Sequence, residues 1–197
     1  MTDLLTRLPR RPLWTPTLLP LLVLLAAGVA VFGVSLWART TVVILVRHAE
    51  AAQSDTGDPD LSPAGESRAR RLGPFLEDAL PGRSVDHLYA ADSRRSQQTA
   101  ASVANQYKLP INLLGSSDWA GLAGRLRRDH RGATVVVVAH STALQSLAAQ
   151  LAAGTIAAPE NDFGSVFVLV SPSVGQARLV RLRYGDAPPS SRAESRK

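Results

Sequence analysis

Two arginines and two histidines stand where predicted strands end and predicted helices begin. Arg47 and His48 directly follow residues 42–46, an uninterrupted apolar run that favours a buried strand. Arg95 lies at the start of a predicted helix, and His140 directly follows a strand with four consecutive valines. Parallel strands would bring these four side chains to one edge of a sheet, beside helix N-termini. Two guanidinium groups, two imidazoles and free N–H groups suit a tetrahedral dianion, most simply phosphate.

The elements that would position these residues alternate along the chain. Strands are predicted near 42–46, 85–90, 110–114, 133–139, 166–170 and 178–183, and helices near 63–80, 94–107, 118–130 and 141–153. Such alternation is typical of a parallel sheet with helices on both faces. The predicted fold class is α/β: a three-layer α/β/α sandwich with a mostly parallel central sheet, preceded by one N-terminal transmembrane helix.

The N-terminal helix is predicted from an uncharged stretch, residues 18–37, in which Leu, Val and Ala dominate. About 20 helical residues at about 1.5 Å each span a hydrocarbon core of about 30 Å. We therefore predict an anchor at 18–38, with the arginine-rich segment 1–17 in the cytoplasm. This topology predicts a single-pass protein of the inner (cytoplasmic) membrane with an extracytoplasmic catalytic domain. A cleaved signal peptide is the alternative, although its apolar core is usually shorter.

Composition narrows the classes of partner and cofactor. The net charge is +6, and the basic residues are spread along the chain with few aromatic residues among them. This distribution gives little support to nucleic-acid binding, whereas anionic substrates and a phospholipid surface both suit a basic chain. The chain has no cysteine and no metal-ligand spacing, so we predict no metal and no cofactor. The polar tail, residues 185–197, is predicted to be disordered.

Four motifs, in this order, resemble those of the histidine phosphatase superfamily, also called the phosphoglycerate mutase-like family. Residues 47–50 (Arg-His-Ala-Glu) resemble its first signature, and residues 61–65 (Leu-Ser-Pro-Ala-Gly) resemble its Leu-Thr/Ser-x-x-Gly element. Residues 95–100 match its Arg-x-x-Gln-Thr-Ala element, and residues 138–141 (Val-Ala-His-Ser) match its second histidine. The resemblance covers about 41–184 and implies an α/β/α sandwich, here as a compact, membrane-anchored member of bacterial type.

The resemblance also implies a reaction, the metal-independent hydrolysis of a phosphoester or phosphoanhydride. His48 would be the nucleophile and become phosphorylated, while Arg47, Arg95 and His140 would hold the phosphoryl oxygens. Such a site suits phosphoryl transfer, in which positioning and electrostatic stabilisation supply most of the catalysis. The expected substrate is a phosphorylated small molecule, glycan or lipid.

The sequence departs from the family at the general acid. Larger members carry a glutamate between the third strand and the valine-rich strand, whereas residues 110–132 contain none. Asp118 and Glu50 are the two candidates for proton donor, and both stay open. A substrate with a good leaving group would not need a strong acid.

Two other functions remain in competition with the phosphatase. A non-catalytic sensor or scaffold for phosphorylated ligands would account for the missing glutamate, although a pure binder needs no nucleophile at His48. A protein phosphohistidine phosphatase is the alternative if the domain lies in the cytoplasm.

Overall fold

The structure is a computed structural model that describes residues 15–37, 40–55, 57–115, 118–151, 156, 162–172 and 175–185. Its helices are α1 Thr15–Trp37, α2 Pro63–Ala79, α3 Arg94–Tyr107, α4 Trp119–Arg128 and α5 Ser141–Gln150. Its strands are β1 Thr41–Arg47, β2 His87–Ala91, β3 Ile111–Leu114, β4 Thr134–Ala139, β5 Ser165–Ser171 and β6 Arg178–Arg183. Residues 1–14 of the predicted cytoplasmic segment and 186–197 of the predicted tail lie outside the described residues.

The chain divides into two compact units, Met1–Ala38 and Arg39–Lys197. In the first unit, the described side chains of α1 are those of residues 19–34. Within the described residues, no helix is both long enough and apolar enough to cross a membrane. This finding contradicts the predicted inner-membrane location with an extracytoplasmic domain, and the transmembrane helix predicted at 18–38 is not found among the described residues. The membrane as a partner stays a prediction.

The second unit contains one six-stranded sheet in the order β3-β2-β4-β1-β5-β6. The strands β1 to β4 are parallel to one another, whereas β5 is antiparallel to β1 and to β6. The predicted α/β fold is confirmed, but the sheet is mixed. The connection between β5 and β6 is too short for a parallel pair, which needs a crossover of about a dozen residues or more.

Alternate residues of the central strand β1 belong to two separate apolar cores. Val43 and Leu45 pack on the side of α4 and α5, whereas Ile44 and Val46 pack on the side of α2 and α3. Helices therefore cover both faces of the sheet, which explains why β1 is apolar without alternation. Every residue of the strand before Arg47 is buried, so the packing fixes the point at which β1 ends.

The helix α2 is joined closely to α3 at a proline. Pro74 lies inside α2 and has no N–H, so the carbonyl of Arg70 loses its helical donor. The Ser102 hydroxyl of α3 replaces it, donating to Arg70 O at 3.1 Å and accepting from Gly73 N at 3.1 Å. A Cβ at Gly73 would lie 2.8 Å from the Ser102 carbonyl oxygen, so only glycine allows this approach. This contact helps to hold α3, the helix that begins beside Arg95.

Candidate active site

The register of two parallel strands brings the two histidines together. Arg47, the last residue of β1, pairs with Ala139, the last residue of β4. The next residue on each strand is a histidine, and His48 N donates to Ala139 O at 3.1 Å. The ring centroids of His48 and His140 are 5.5 Å apart and nearly perpendicular, at 76°. Both rings therefore lie at the carboxyl edge of the parallel strands, where α/β sheets bind their ligands.

His48 is held as a neutral ring with one free nitrogen. The residue is only 8% exposed, and its Nδ1 lies 2.9 Å from the carbonyl oxygen of Ala49. In the neutral ring Nδ1–H donates to that oxygen, which leaves the lone pair on Nε2. The pKa of His48 is lowered to about 4, mainly by burial and also by the charges of Arg95, His140 and Arg47, while the hydrogen bond to Ala49 opposes the shift. At neutral pH the free nitrogen is available as a nucleophile.

Thr99 joins the loop after His48 to the first turn of α3. Its side chain is fully buried, and its hydroxyl donates to Arg95 O at 2.7 Å and accepts from Ala49 N at 3.0 Å. The hydroxyl therefore fixes Arg95 relative to His48. Sequence reasoning included Thr99 in a family motif but assigned it no role.

We expect Thr99→Val to lower the free energy of unfolding by about 1–3 kcal/mol, because the Ala49 N–H loses its acceptor. We also expect kcat/KM for a phosphate ester to fall about 10-fold or more, because Arg95 is no longer tied to the loop after His48. Chemical denaturation and steady-state kinetics measure the two effects. Thr99→Ser keeps the hydroxyl and is the control. Equal results for the two variants would contradict this role.

Two buried polar atoms at this edge have no hydrogen-bond partner within the part of the chain that the structure describes. They are Nε of Arg95, near the start of α3, and Oγ of Ser141, the first residue of α5. Buried polar atoms normally have partners, so such exceptions commonly mark a place where a ligand or water binds. The oxygens of a phosphate would accept hydrogen bonds from both groups.

His140 is the N-cap residue of α5, so its ring stands at the positive end of that helix. Burial lowers the pKa of His140, and the charges of Arg95 and Arg47 lower it further against the opposing carboxylates of Asp92 and Asp58. A neutral His140 has one N–H to donate to an anion.

Phe163 forms part of the wall of the site, and sequence reasoning did not single it out. The Cζ atom of Arg47 lies 4.4 Å from the centroid of the Phe163 ring, and the His48 ring centroid lies 6.2 Å from it. A single phenylalanine in a loop carries no sequence signal for such a position.

Glu50, the first candidate proton donor, is engaged by an arginine of α2. Arg68 Nε donates to both Glu50 oxygens, at 2.9 and 3.0 Å, and Arg68 Nη2 lies 2.8 Å from Oε1. Burial raises the pKa of Glu50, but the hydrogen bonds and charge of Arg68 outweigh it and lower the pKa overall. A carboxylate that is kept ionised suits an orienting role better than proton donation.

Asp118, the second candidate, lies just before α4 in the loop that follows β3. It is exposed, and its Oδ2 accepts from Gly115 N at 3.0 Å. It follows β3, which is separated from β1 by β2 and β4, a spacing of about 14 Å. The structure therefore brings Arg47, His48, Arg95 and His140 to one edge and holds Glu50 against Arg68. Asp118 contacts Gly115 and stays a prediction as proton donor.

Metal ligands were not predicted from the sequence. Among the described residues, no group of three or more histidines, aspartates and glutamates could hold a metal ion. Catalysis without a metal stays a prediction.

Comparison with known proteins relates the chain to one superfamily. Residues 43–115 match the family model described as the histidine phosphatase superfamily, branch 1. No curated protein matches the chain in sequence.

Solved structures share the fold. The protein histidine phosphatase SixA complexed with tungstate matches with a TM-score of 0.60 and 19% identity, covering 72% of this chain and 96% of that chain. Phosphoglycerate mutase from Plasmodium falciparum matches with a TM-score of 0.50 and 18% identity, covering 78% and 97%. A mycobacterial glucosyl-3-phosphoglycerate phosphatase matches with a TM-score of 0.50 and 17% identity, covering 75% and 100%.

Proposed function

Because the chain contains a histidine phosphatase superfamily domain, we propose that it is a metal-independent phosphatase that acts through a phosphohistidine on His48. One observation carries the proposal: a buried, neutral histidine with a free Nε2 lies within the field of Arg47, Arg95 and His140. A neutral imidazole can attack phosphorus, and the surrounding groups can balance the charge of the phosphoryl oxygens.

The reaction proceeds in two displacements at phosphorus. First, Nε2 of His48 forms a bond to phosphorus while the bond from phosphorus to the leaving group breaks, and the leaving group takes up a proton. Water then attacks the phosphorus of phospho-His48, the P–N bond breaks, and inorganic phosphate leaves. The water gives up a proton, and His48 returns to its neutral form. Throughout, Ala49 O accepts from Nδ1–H and keeps the ring oriented.

Three side chains stabilise the phosphoryl group in this account. The two guanidinium groups, of Arg47 and Arg95, bind its oxygens with charge, and His140 donates one N–H. Since the transition state spreads negative charge over three equatorial oxygens, several fixed donors around it are worth more than one strong donor.

The state of the two carboxylates favours a substrate whose leaving group needs no strong acid. Glu50 is held ionised by Arg68, and Asp118 is an exposed residue that follows β3, the third strand away from β1. The imidazole of a phosphohistidine can be protonated by solvent near neutral pH and then leaves as a neutral ring. We therefore favour phosphohistidine on a protein as the substrate class. The likeness to the protein histidine phosphatase SixA supports this choice.

A panel of substrates tests the proposal. We expect turnover of a phosphohistidine peptide and of an aryl phosphate in the presence of a metal chelator, and much slower turnover of phosphorylated sugars, lipid head groups and other alkyl phosphates. Faster turnover of an alkyl phosphate than of the phosphohistidine peptide would contradict the substrate class. Loss of all activity with the chelator, restored by a divalent metal, would contradict the metal-independent mechanism.

A non-catalytic sensor of phosphorylated ligands is the second candidate. Among the described residues, neither proton-donor candidate is observed in contact with His48, and this favours the sensor. Binding of inorganic phosphate without turnover of any substrate in the panel would support the sensor over the phosphatase.

The pKa of His48 predicts an unusual pH profile. Because that pKa is lowered to about 4, His48 stays neutral down to that pH and is protonated only below it. We expect the acid limb of kcat/KM, corrected for ionisation of the substrate, to fall near pH 4. NMR titration of the His48 ring in the free protein provides an independent measurement. An acid limb and a ring titration near the ordinary value of about 6.5 would contradict the account.

A further inference from the structure

Phe163 touches both the nucleophile and one of the phosphate-binding arginines of the proposed site. Its ring lies under the guanidinium of Arg47, at 4.4 Å from centroid to Cζ, and its centroid is 6.2 Å from that of His48. A guanidinium stacked on an aromatic face is attracted to it and is held in one plane. The N–H groups of a stacked guanidinium point outward within that plane, which is the direction from which the oxygens of an anion bind it.

A buried carboxylate fixes the backbone beside this ring. Asp162 is only 5% exposed, and its carboxylate accepts from Gly164 N at 3.3 Å and from Ser165 Oγ at 2.6 Å. It also binds the guanidinium groups of Arg181 and Arg183 on β6, the latter at 3.3 Å. We call this set the Asp162 clamp. Its members precede and follow Phe163, so the clamp ties both sides of the aromatic residue to β5 and β6.

Phe163 also covers one side of His48. Among the described residues, the charged and titratable groups that act on His48 are Arg47 from β1, Arg95 from α3 and His140 from the N-terminus of α5. The two arginines are cationic and His140 becomes cationic when protonated, so all three favour the neutral form of His48. The apolar ring of Phe163 also favours the neutral form of His48, because it helps to keep water away from a residue that is only 8% exposed.

We propose that Phe163, held by the Asp162 clamp, is a positioning residue that orients Arg47 for phosphate and shields His48 from water. This inference deepens the proposed phosphatase function and rests on it for the roles of Arg47 and His48. It explains the position of a lone aromatic side chain at the site and gives the buried Asp162 carboxylate a purpose beyond holding β5 to β6.

Three substitutions at Phe163 separate the two effects in the full-length protein. Phe163→Leu keeps an apolar cover over His48 but removes the aromatic face under Arg47. Phe163→Ala removes both, and Phe163→Tyr keeps both. Phe75→Ala is the matched control, because it truncates another partly buried phenylalanine, which packs against Tyr184.

The readouts are the affinity for inorganic phosphate, measured by calorimetry, and the titration of the His48 ring, measured by NMR. We expect Phe163→Leu and Phe163→Ala to weaken phosphate binding by about 2- to 30-fold. Phe163→Tyr should bind phosphate as tightly as the unmodified protein. Only Phe163→Ala should move the titration of His48 to higher pH. We expect Asp162→Asn to weaken phosphate binding, as the Phe163 substitutions do. Phosphate affinity and the His48 titration should both be unchanged in Phe75→Ala.

Neither readout requires turnover, so this test is independent of the substrate panel. Phosphate affinity and His48 titration unchanged in Phe163→Ala would overturn the inference, even if the protein proves to be a phosphatase. Equal weakening in Phe75→Ala would also overturn it, because the effect would then be one of general packing. Unchanged phosphate binding in Asp162→Asn would contradict the claim that the Asp162 clamp holds Phe163 in place.

Discussion

Replacing His48 with asparagine is expected to reduce phosphatase activity by about 10⁴-fold or more, because the nitrogen that attacks phosphorus is removed. Asparagine fills much of the same space and can still accept or donate hydrogen bonds at the loop. Arg47, Arg95 and His140 remain in place, so we expect the affinity for inorganic phosphate to change by no more than a few-fold. Steady-state kinetics and phosphate calorimetry measure the two quantities.

The control for this substitution is His87→Asn. His87 lies at the beginning of β2, where its ring packs against His130 with centroids 4.1 Å apart, at the opposite end of that strand from the site. We expect this variant to keep its activity within a few-fold. Activity of His48→Asn within about 10-fold of the unmodified protein would show that His48 is not the nucleophile.

Replacing Arg95 with alanine is expected to reduce kcat/KM by about 10³-fold, since one fixed cation is removed from the phosphoryl oxygens. Arg95→Lys keeps the charge but loses the planar pair of donors, so we expect it to recover only part of the loss. Because Arg95 also acts on His48 and His140, its removal should raise the pKa of both rings. Kinetics and NMR titration of the two rings check these effects.

The neighbouring arginine gives a matched control. Arg94 is exposed and its guanidinium binds Asp60 at 2.9 Å, so Arg94→Ala removes the same charge one residue away. We expect that variant to stay within a few-fold of the unmodified protein. A comparable loss in Arg94→Ala would mean that the general charge of this edge matters, and not the position of Arg95.

Much of the parallel half of the fold could be predicted from the sequence, because its signals are local. The apolar runs of β1 and β4 are long enough to indicate strands buried on both faces. Ser62 before Pro63 is a local signal for a helix start, and its hydroxyl caps α2 by accepting from Gly65 N at 3.1 Å. Parallel strands align their carboxyl ends, so Arg47, His48, Arg95 and His140 could be placed at one edge before any geometry was known.

The parts that could not be predicted depend on contacts between distant residues. Nothing in β5 encodes its antiparallel direction, because strand patterning is the same in both directions. Glu50 reads as a free carboxylate beside His48, whereas it is paired with Arg68, 18 residues away. Phe163 and Asp162 lie in a loop whose composition carries no signal for their positions. Asp118 became a candidate because it is a carboxylate between the third strand and the valine-rich strand, and sequence alone could not show that β3 is the third strand away from β1.

The central claim is that the phosphoryl group passes through His48. The most direct measurement is rapid acid-free quenching of the protein during turnover of a radiolabelled phosphohistidine peptide or aryl phosphate, followed by peptide mapping. We predict a label that is stable in alkali and labile in acid, on the peptide that contains His48 and on no other. The label should be absent from His48→Asn and present in His87→Asn. Turnover of the substrate with no label on His48 at any quench time would contradict the account.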